Sequence, residues 1–550
     1  MTHNITPSDI AAAEKLMGLE YTAQERAQMI GNLEGQLLSA QARRAVKLDN
    51  SVPMASRFDP RLAGFAMPHG ANALTRSVVM DALPGSDADI AFAPLTHLSH
   101  WIATGMITSR RLTEIYLARI KTLDPKLECY AVVTPDLALA EADAMDSLTK
   151  AEVNLSPLHG IPYGLKDLFD TKGITTGWGA EPYQSNTPAS DAAVTRKMRA
   201  AGAVLLGKTT LGALAYNDVW YGGWTRNPWN LNEGSSGSSA GSASATAAAL
   251  CGFSIGTETL GSITSPSHRC GTTGLRPTFG RVSRAGAMAL CWSLDKVGPI
   301  CRSVEDTALV LAALNGGDTA DRGSIDAPFV FDATKGVEGM VLGYLPAAFE
   351  DEGATDLDRA ALEAAKGLGF DVRALSIEDL PYGALMNIVY AEAAAAFEDL
   401  TLSGADDMLT WQDEGAWPNT MRKARFLSAV DHVNLDRLRF RVMQAVADMM
   451  RGCDVLIGPF MTGSMLVASN FTGHPCLHIR VGFGQIATRS AASLGAGKLT
   501  TGDASGDNTF RVPHGISLWG QLFDEGPLLN VGMALEKALN VAAERPVLQE

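Results

Sequence analysis

Apolar residues recur every three or four positions along several stretches of the chain, and this spacing predicts where its helices lie. Met29, Leu33, Leu37 and Ala40 place an amphipathic helix within residues 22–46, after a shorter one over 8–17. Thr22 precedes the longer helix with Glu25 three positions on, a pairing in which each side chain can satisfy an orphan N–H of the first turn. The proline-bearing stretch 50–60 follows. Residues 1–60 therefore read as an N-terminal helical extension, too small to hold a core of its own, and residues 61–550 as the main domain.

Beyond Leu95 the pattern alternates between helical and strand-like. Helices are predicted over 109–121, 189–201, 242–250 and 304–314, and strands over 202–206, 251–255, 339–345 and 453–458. This alternation predicts an α/β fold layered around a mostly parallel sheet. Residues 485–511 are rich in Gly, Ser, Thr and Ala without periodicity, and read as a long surface loop that is either a lid or a solvated insertion.

Composition narrows the function classes. Apolar residues make up 46% of the 550 and charged residues 19%, which suits a folded globular protein. No apolar run approaches the ~20 residues that cross a bilayer, so no membrane partner is expected. The start of the chain has neither a basic nor an apolar leader region, and seven cysteines without a CxxC pair read as reduced thiols. Both point to the cytoplasm. A net charge of −15 argues against a nucleic-acid partner, whose phosphates demand Lys and Arg.

His97 and His100, and His474 and His478, have spacings seen in metal sites but lack a third ligand nearby, so no metal is expected. Gly207-Lys208-Thr209-Thr210 lacks the earlier glycine of a phosphate loop.

The chemistry concentrates in residues 234–274, GSSGSSAGSASATAAALCGFSIGTETLGSITSPSHRCGTTG. Small residues allow backbone to approach a substrate, and glycines let adjacent N–H groups converge on one point. Hydroxyls are plentiful but need a base to become nucleophiles. Residues 237–241 match the G-x-S-x-G nucleophile elbow, yet that motif requires a hydrophobic strand before it, and the preceding residues 227–233 read as a turn.

These residues resemble the signature of the amidase signature family. Its elements stand in order as HGIPYGLKD at 159–167, GKT at 207–209, TRNPWN at 225–230, GSSAGSA at 237–243, GTETLGSI at 256–263 and CGTTGLRPT at 270–278. NFTGHPCLHIRVGF at 470–483 and GISLWGQLFDEGPLLNVGMA at 515–534 extend the likeness, which spans about 90–540. The resemblance implies a three-layer α/β/α fold around a large mixed sheet, and an amidase that needs no cofactor and acts on a small-molecule amide. An ester is a second substrate class it suggests, and a homodimer a suggested assembly.

It further implies a Ser–cis-Ser–Lys triad. Lys166 would be the base, Ser262 the nucleophile and Ser238 the relay, with the backbone N–H groups of Thr259, Leu260, Gly261 and Ser262 holding the oxyanion. Ser238 is preferred to Ser235 because it lies 24 positions before Ser262 and is followed by the GSA. Asp167 reads equally as an orienting group or a turn cap.

Departures from the family pattern are Leu260 for a glycine, Glu258 for an aspartate, Ala240 for a glycine, Thr264 for an arginine and Arg269 for an apolar residue. Leu260 is expected to lend its N–H while its side chain reaches toward the acyl pocket. Two other readings stand beside the amidase. One is the glutamine-hydrolysing A-type component of a tRNA-dependent amidotransferase, whose small C-type component the N-terminal helices faintly resemble. The other is a non-catalytic binding relative.

Overall fold

The computed structural model describes residues 5–489 and 509–548. Helices Pro7–Met17 and Ala23–Arg44 begin at Thr6 and Thr22, each closing a reciprocal capping box. The Thr22 N–H donates to Glu25 at 2.7 Å, and the Glu25 N–H returns to Thr22 Oγ1 at 3.3 Å. Arg26 binds Glu14 across the pair at 2.7–2.8 Å, and Arg43 reaches Glu398 of the main body at 2.6 Å. The longer helix buries none of its residues, so ion pairs and half-buried apolar contacts hold it in place.

Among the described residues eleven strands form one sheet. Their spatial order is Asp371–Ala374, Val341–Tyr344, Val455–Pro459, Thr509–Gly520, Cys476–Ala487, Thr273–Arg276, Lys296–Cys301, Phe253–Glu258, Pro162–Lys166, Val204–Thr209 and Tyr130–Val133. The sheet is mixed, as expected, but the expected parallel majority is not observed. Six of its ten pairings are antiparallel. One cause lies at the centre, where no helix separates Thr273–Arg276 from Lys296–Cys301 along the chain, and parallel neighbours require such a crossover. Gln485 pairs with Arg511, Ile486 with Phe510 and Ala487 with Thr509, so both ends of the expected 485–511 loop are strand. The rest of that loop, 490–508, lies outside the described residues.

Predicted helices fall close to their places. Val304–Leu314 is observed as read, Ser109–Leu127 runs longer, and Ala193–Ala200 is shorter. Strands Pro162–Lys166, Val204–Thr209, Phe253–Glu258 and Lys296–Cys301 are buried throughout. Burial on both faces means that helices cover both sides of the sheet, and the strands accordingly lack a polar face.

Helix Ala240–Ala247 is wholly buried, which only a run of small residues permits. At Gly241 a Cβ would sit 2.2 Å from the Cys129 carbonyl oxygen and 2.4 Å from the Thr210 nitrogen. Both neighbours are backbone and cannot yield. Gly241→Ala is expected to cost ~3 kcal/mol or more, read as a lower midpoint in urea unfolding.

All seven cysteines are buried and unpaired. Among the described residues no helix is long and apolar enough to cross a membrane.

Candidate active site

Lys166 ends the Pro162–Lys166 strand, and the parallel register Leu165↔Ile255 brings the end of the Phe253–Glu258 strand beside it. Its side chain is fully buried. Nζ lies 2.9 Å from Ser238 Oγ, 3.0 Å from Ser239 Oγ and 2.8 Å from Thr257 Oγ1, with the Thr257 carbonyl at 3.5 Å. The partners are hydroxyls and one carbonyl, not a carboxylate. Burial therefore dominates and drives the Lys166 pKa well below the ordinary 10.5, against partial opposition from Asp295 and Glu258.

The Gly237–Ser238 peptide is cis. Ser239 follows, donating its hydroxyl to the Thr257 carbonyl at 3.1 Å and its N–H to the Ser262 carbonyl at 3.1 Å. That last bond ties the paired-serine segment to the turn that carries Ser262, which is 8% exposed. Ser235, the alternative relay, instead bonds the Ser236 and Thr225 carbonyls. Residues 227–233, read as a turn, contribute to a small hairpin of Arg226–Asn227 with Asn230–Gly234. Its strands are polar and stand apart from the main sheet, so the nucleophile-elbow context is still missing.

The turn 259–262 is held from below by Glu258. One carboxylate oxygen accepts the N–H groups of Ile263 and Thr264, both at 2.9 Å, and the other meets Arg276 at 2.6 Å and Asn470 at 3.1 Å. Burial alone would raise this carboxyl. The Arg276 guanidinium and the turn's N–H groups outweigh burial and hold it at about 2.

Gly261 adopts φ +84°, a conformation costly for any residue with a Cβ. Among the described residues the backbone N–H groups of Thr259, Leu260, Gly261 and Ser262 meet no protein acceptor. The Leu260 side chain packs against the cluster containing Met465 and Phe471.

Asp167 caps a turn. Its carboxylate accepts the Gly177 N–H at 2.9 Å and lies 3.7 Å from the Lys208 ammonium. Burial raises it to about 6 and lowers Lys208 to about 8. His97 bonds Asp81, His474 bonds Thr472 and His478 bonds Ser517. Among the described residues no group of three or more His, Cys, Asp or Glu is placed to hold a metal.

Sequence reasoning missed Ser239 and Thr257 as partners of Lys166, and the anchoring role of Glu258. The only signal was position: Thr257 and Glu258 close a buried strand immediately before the glycine turn.

A family model described as Amidase matches residues 111–529. The chain is 30% identical over 495 residues to the A-type component of glutamyl-tRNA(Gln) amidotransferase from Prochlorococcus marinus (strain NATL2A), covering 81% of this chain and 97% of that one. The peptide amidase from Stenotrophomonas maltophilia superposes with a TM-score of 0.69 at 28% identity, over 82% of this chain and 98% of its own. A 6-aminohexanoate cyclic dimer hydrolase shares the fold, with a TM-score of 0.69 at 24% identity over 83% of this chain and 99% of its own.

Proposed function

Because the chain belongs to the amidase family, whose members hydrolyse amide bonds, we propose that it cleaves a small-molecule carboxylic amide through an acyl-enzyme on Ser262. The observation that carries this reading is the fully buried Lys166 with its amine 2.9 Å from Ser238 Oγ. A lysine kept from water and from carboxylates is held in its neutral form, the form that accepts a proton.

In this mechanism Lys166 takes the Ser238 hydroxyl proton while Ser238 Oγ takes that of Ser262. Ser262 Oγ then attacks the carbonyl carbon, and the N–H groups of 259–262 receive the negative charge on oxygen. One such donor typically supplies ~3–4 kcal/mol of transition-state stabilisation. Ser238 next gives its proton to the departing nitrogen and is reprotonated by Lys166, the C–N bond breaks, and water releases the acid by the same relay. Ser239 and Thr257 hold the amine in place with two further hydrogen bonds.

A fluorophosphonate probe followed by peptide mass spectrometry tests the assignment. The adduct is expected on Ser262, forming ~10²-fold or more slowly in Lys166→Ala. An adduct on Ser239, or labelling indifferent to Lys166, overturns it.

A second reading rests on the amidotransferase relative. It requires ammonia release from glutamine that rises sharply when a partner protein is added. The net charge of −15 disfavours a tRNA-bound assembly, and the expected result is no glutamine turnover with or without an added partner protein.

A further inference from the structure

A cavity of about 950 Å3 opens beside the lysine site, with Thr257 and Thr259 in its wall. Small-molecule pockets commonly hold about 300–1,000 Å3, so this one is at the upper end. It is far larger than the amide group itself requires.

One wall is supplied by the N-terminal extension. The Asn50 side chain pairs with Ala289 as a backbone would, Nδ2 donating to its carbonyl at 2.8 Å and Oδ1 accepting its N–H at 2.8 Å. Eight residues on, Phe58 meets Phe279 edge-on at 5.1 Å and lies under the Arg439 guanidinium at 3.4 Å. Pinned at both ends, the strap between them roofs the chamber with Pro53 and Met54, and its other residues are largely exposed. Facing it are Met288, Trp292, Ile388 and Met443. Helix Ala429–Met450 adds Val433 and Phe440, which stay 59% and 52% exposed where the cavity meets solvent.

The cations of the wall already have acceptors, while among the described residues no cation bonds the carboxylates of Asp49, Asp170 or Asp436 in the same lining. Arg284 binds Asp321 at 3.0 Å, and Glu392 accepts the Ser293 N–H and hydroxyl at 3.0 and 2.5 Å. Arg439 donates to the Phe471 and Ser293 carbonyls at 2.7 and 2.8 Å, and Asp295 accepts the Thr259 hydroxyl at 2.6 Å. An anionic substrate entering here would lose its hydration without gaining an unengaged cation, which is costly. An apolar one would cover Val433, Phe440 and Met54.

Resting on the amidase reading, we infer that the substrate is an amide with a bulky, apolar body and no anionic group, accommodated between the 50–58 strap and helix Ala429–Met450. The strap thereby makes the N-terminal extension part of substrate selection.

Two homologous series test this with the full-length protein: N-acyl p-nitroanilides of lengthening straight acyl chain, and N-alkyl acetamides of lengthening amine, followed by released amine. In one series kcat/KM is expected to rise about fourfold per methylene, equivalent to ~0.8 kcal/mol each, until the chamber is full. A terminal carboxylate on the same chain should lower it at least tenfold. Met54→Ser and Phe440→Ser should each flatten the slope. Turnover that depends on Ser262 but ignores chain length in both series, or favours the carboxylate, overturns the inference and leaves the amidase intact. Absence of Ser262-dependent turnover and of Ser262 labelling would instead sink the amidase reading.

Discussion

Replacing Lys166 with methionine is expected to lower kcat/KM by about 10²–10⁴-fold, the range a positioned general base contributes, while leaving the protein folded. Methionine nearly matches the lysine stem in volume, so the buried site between Ser238, Ser239 and Thr257 stays filled. Activity and stability should then part company. Lys166 titrates far below its ordinary 10.5 because burial penalises the ammonium. The unfolded chain has no such penalty and takes up a proton that the native state refuses. Stability therefore rises with pH between the depressed native value and 10.5, by at most about 1.4 kcal/mol per pH unit for one proton.

Lys166→Met removes that contribution, so urea unfolding measured across the neutral to alkaline range should show a shallower pH dependence. The wild-type kcat/KM should likewise fall only as pH drops through the depressed native value and the amine becomes protonated, with a plateau from there through the ordinary lysine range. A variant that keeps its activity, or a wild-type profile that climbs toward the ordinary lysine range, would mean that this amine is not the base.

The second large effect is expected at Glu258. Glu258→Ala strips the counter-charge from Arg276, which is fully buried, and frees the N–H groups of Ile263 and Thr264. Breaking a buried pair on one side typically costs about 3–5 kcal/mol. The turn 259–262 loses its anchor at the same stroke, so kcat should fall more than KM rises.

The sign of the pH effect follows from the depressed carboxyl, about 2 in the native state against an ordinary 4.5. Its contribution, worth about 3 kcal/mol, is complete above pH 4.5 and disappears as pH falls toward 2. Glu258→Gln keeps the shape but not the charge, and should lose this acid-side slope in chemical unfolding. If Glu258→Gln matched wild type in both stability and kcat, the carboxylate would be neither anchor nor counter-charge.

Reading along the chain located much of this. The helix at 304–314, the capping box at Thr22 and Glu25, and the short strands before residues 207 and 256 follow from periodicity and cap chemistry, which involve neighbours within a turn or two. The ordered glycine–serine elements identified the family for the same reason: each is a run of residues whose spacing is itself the signal.

Strand direction was less legible. Alternating helices and strands implied parallel pairing, yet Thr273–Arg276 and Lys296–Cys301 at the centre pair antiparallel because no helix lies between them along the chain. Residues 485–487 and 509–511 looked like loop because their glycine-, serine- and threonine-rich surroundings hid a hairpin whose pairing crosses more than twenty residues.

The sequence by itself determined the element types, the family and the lysine and serines worth testing, since all of these rest on local spacing and residue chemistry. Only the tertiary structure decided which hydroxyls surround Lys166, that Glu258 and Arg276 anchor the turn before Ser262, and that residues 50–58 wall the cavity. Those contacts join residues tens to hundreds of positions apart. They are set by sheet register and by burial, which leaves a charged group stable only where its partners converge, and no local pattern carries that information.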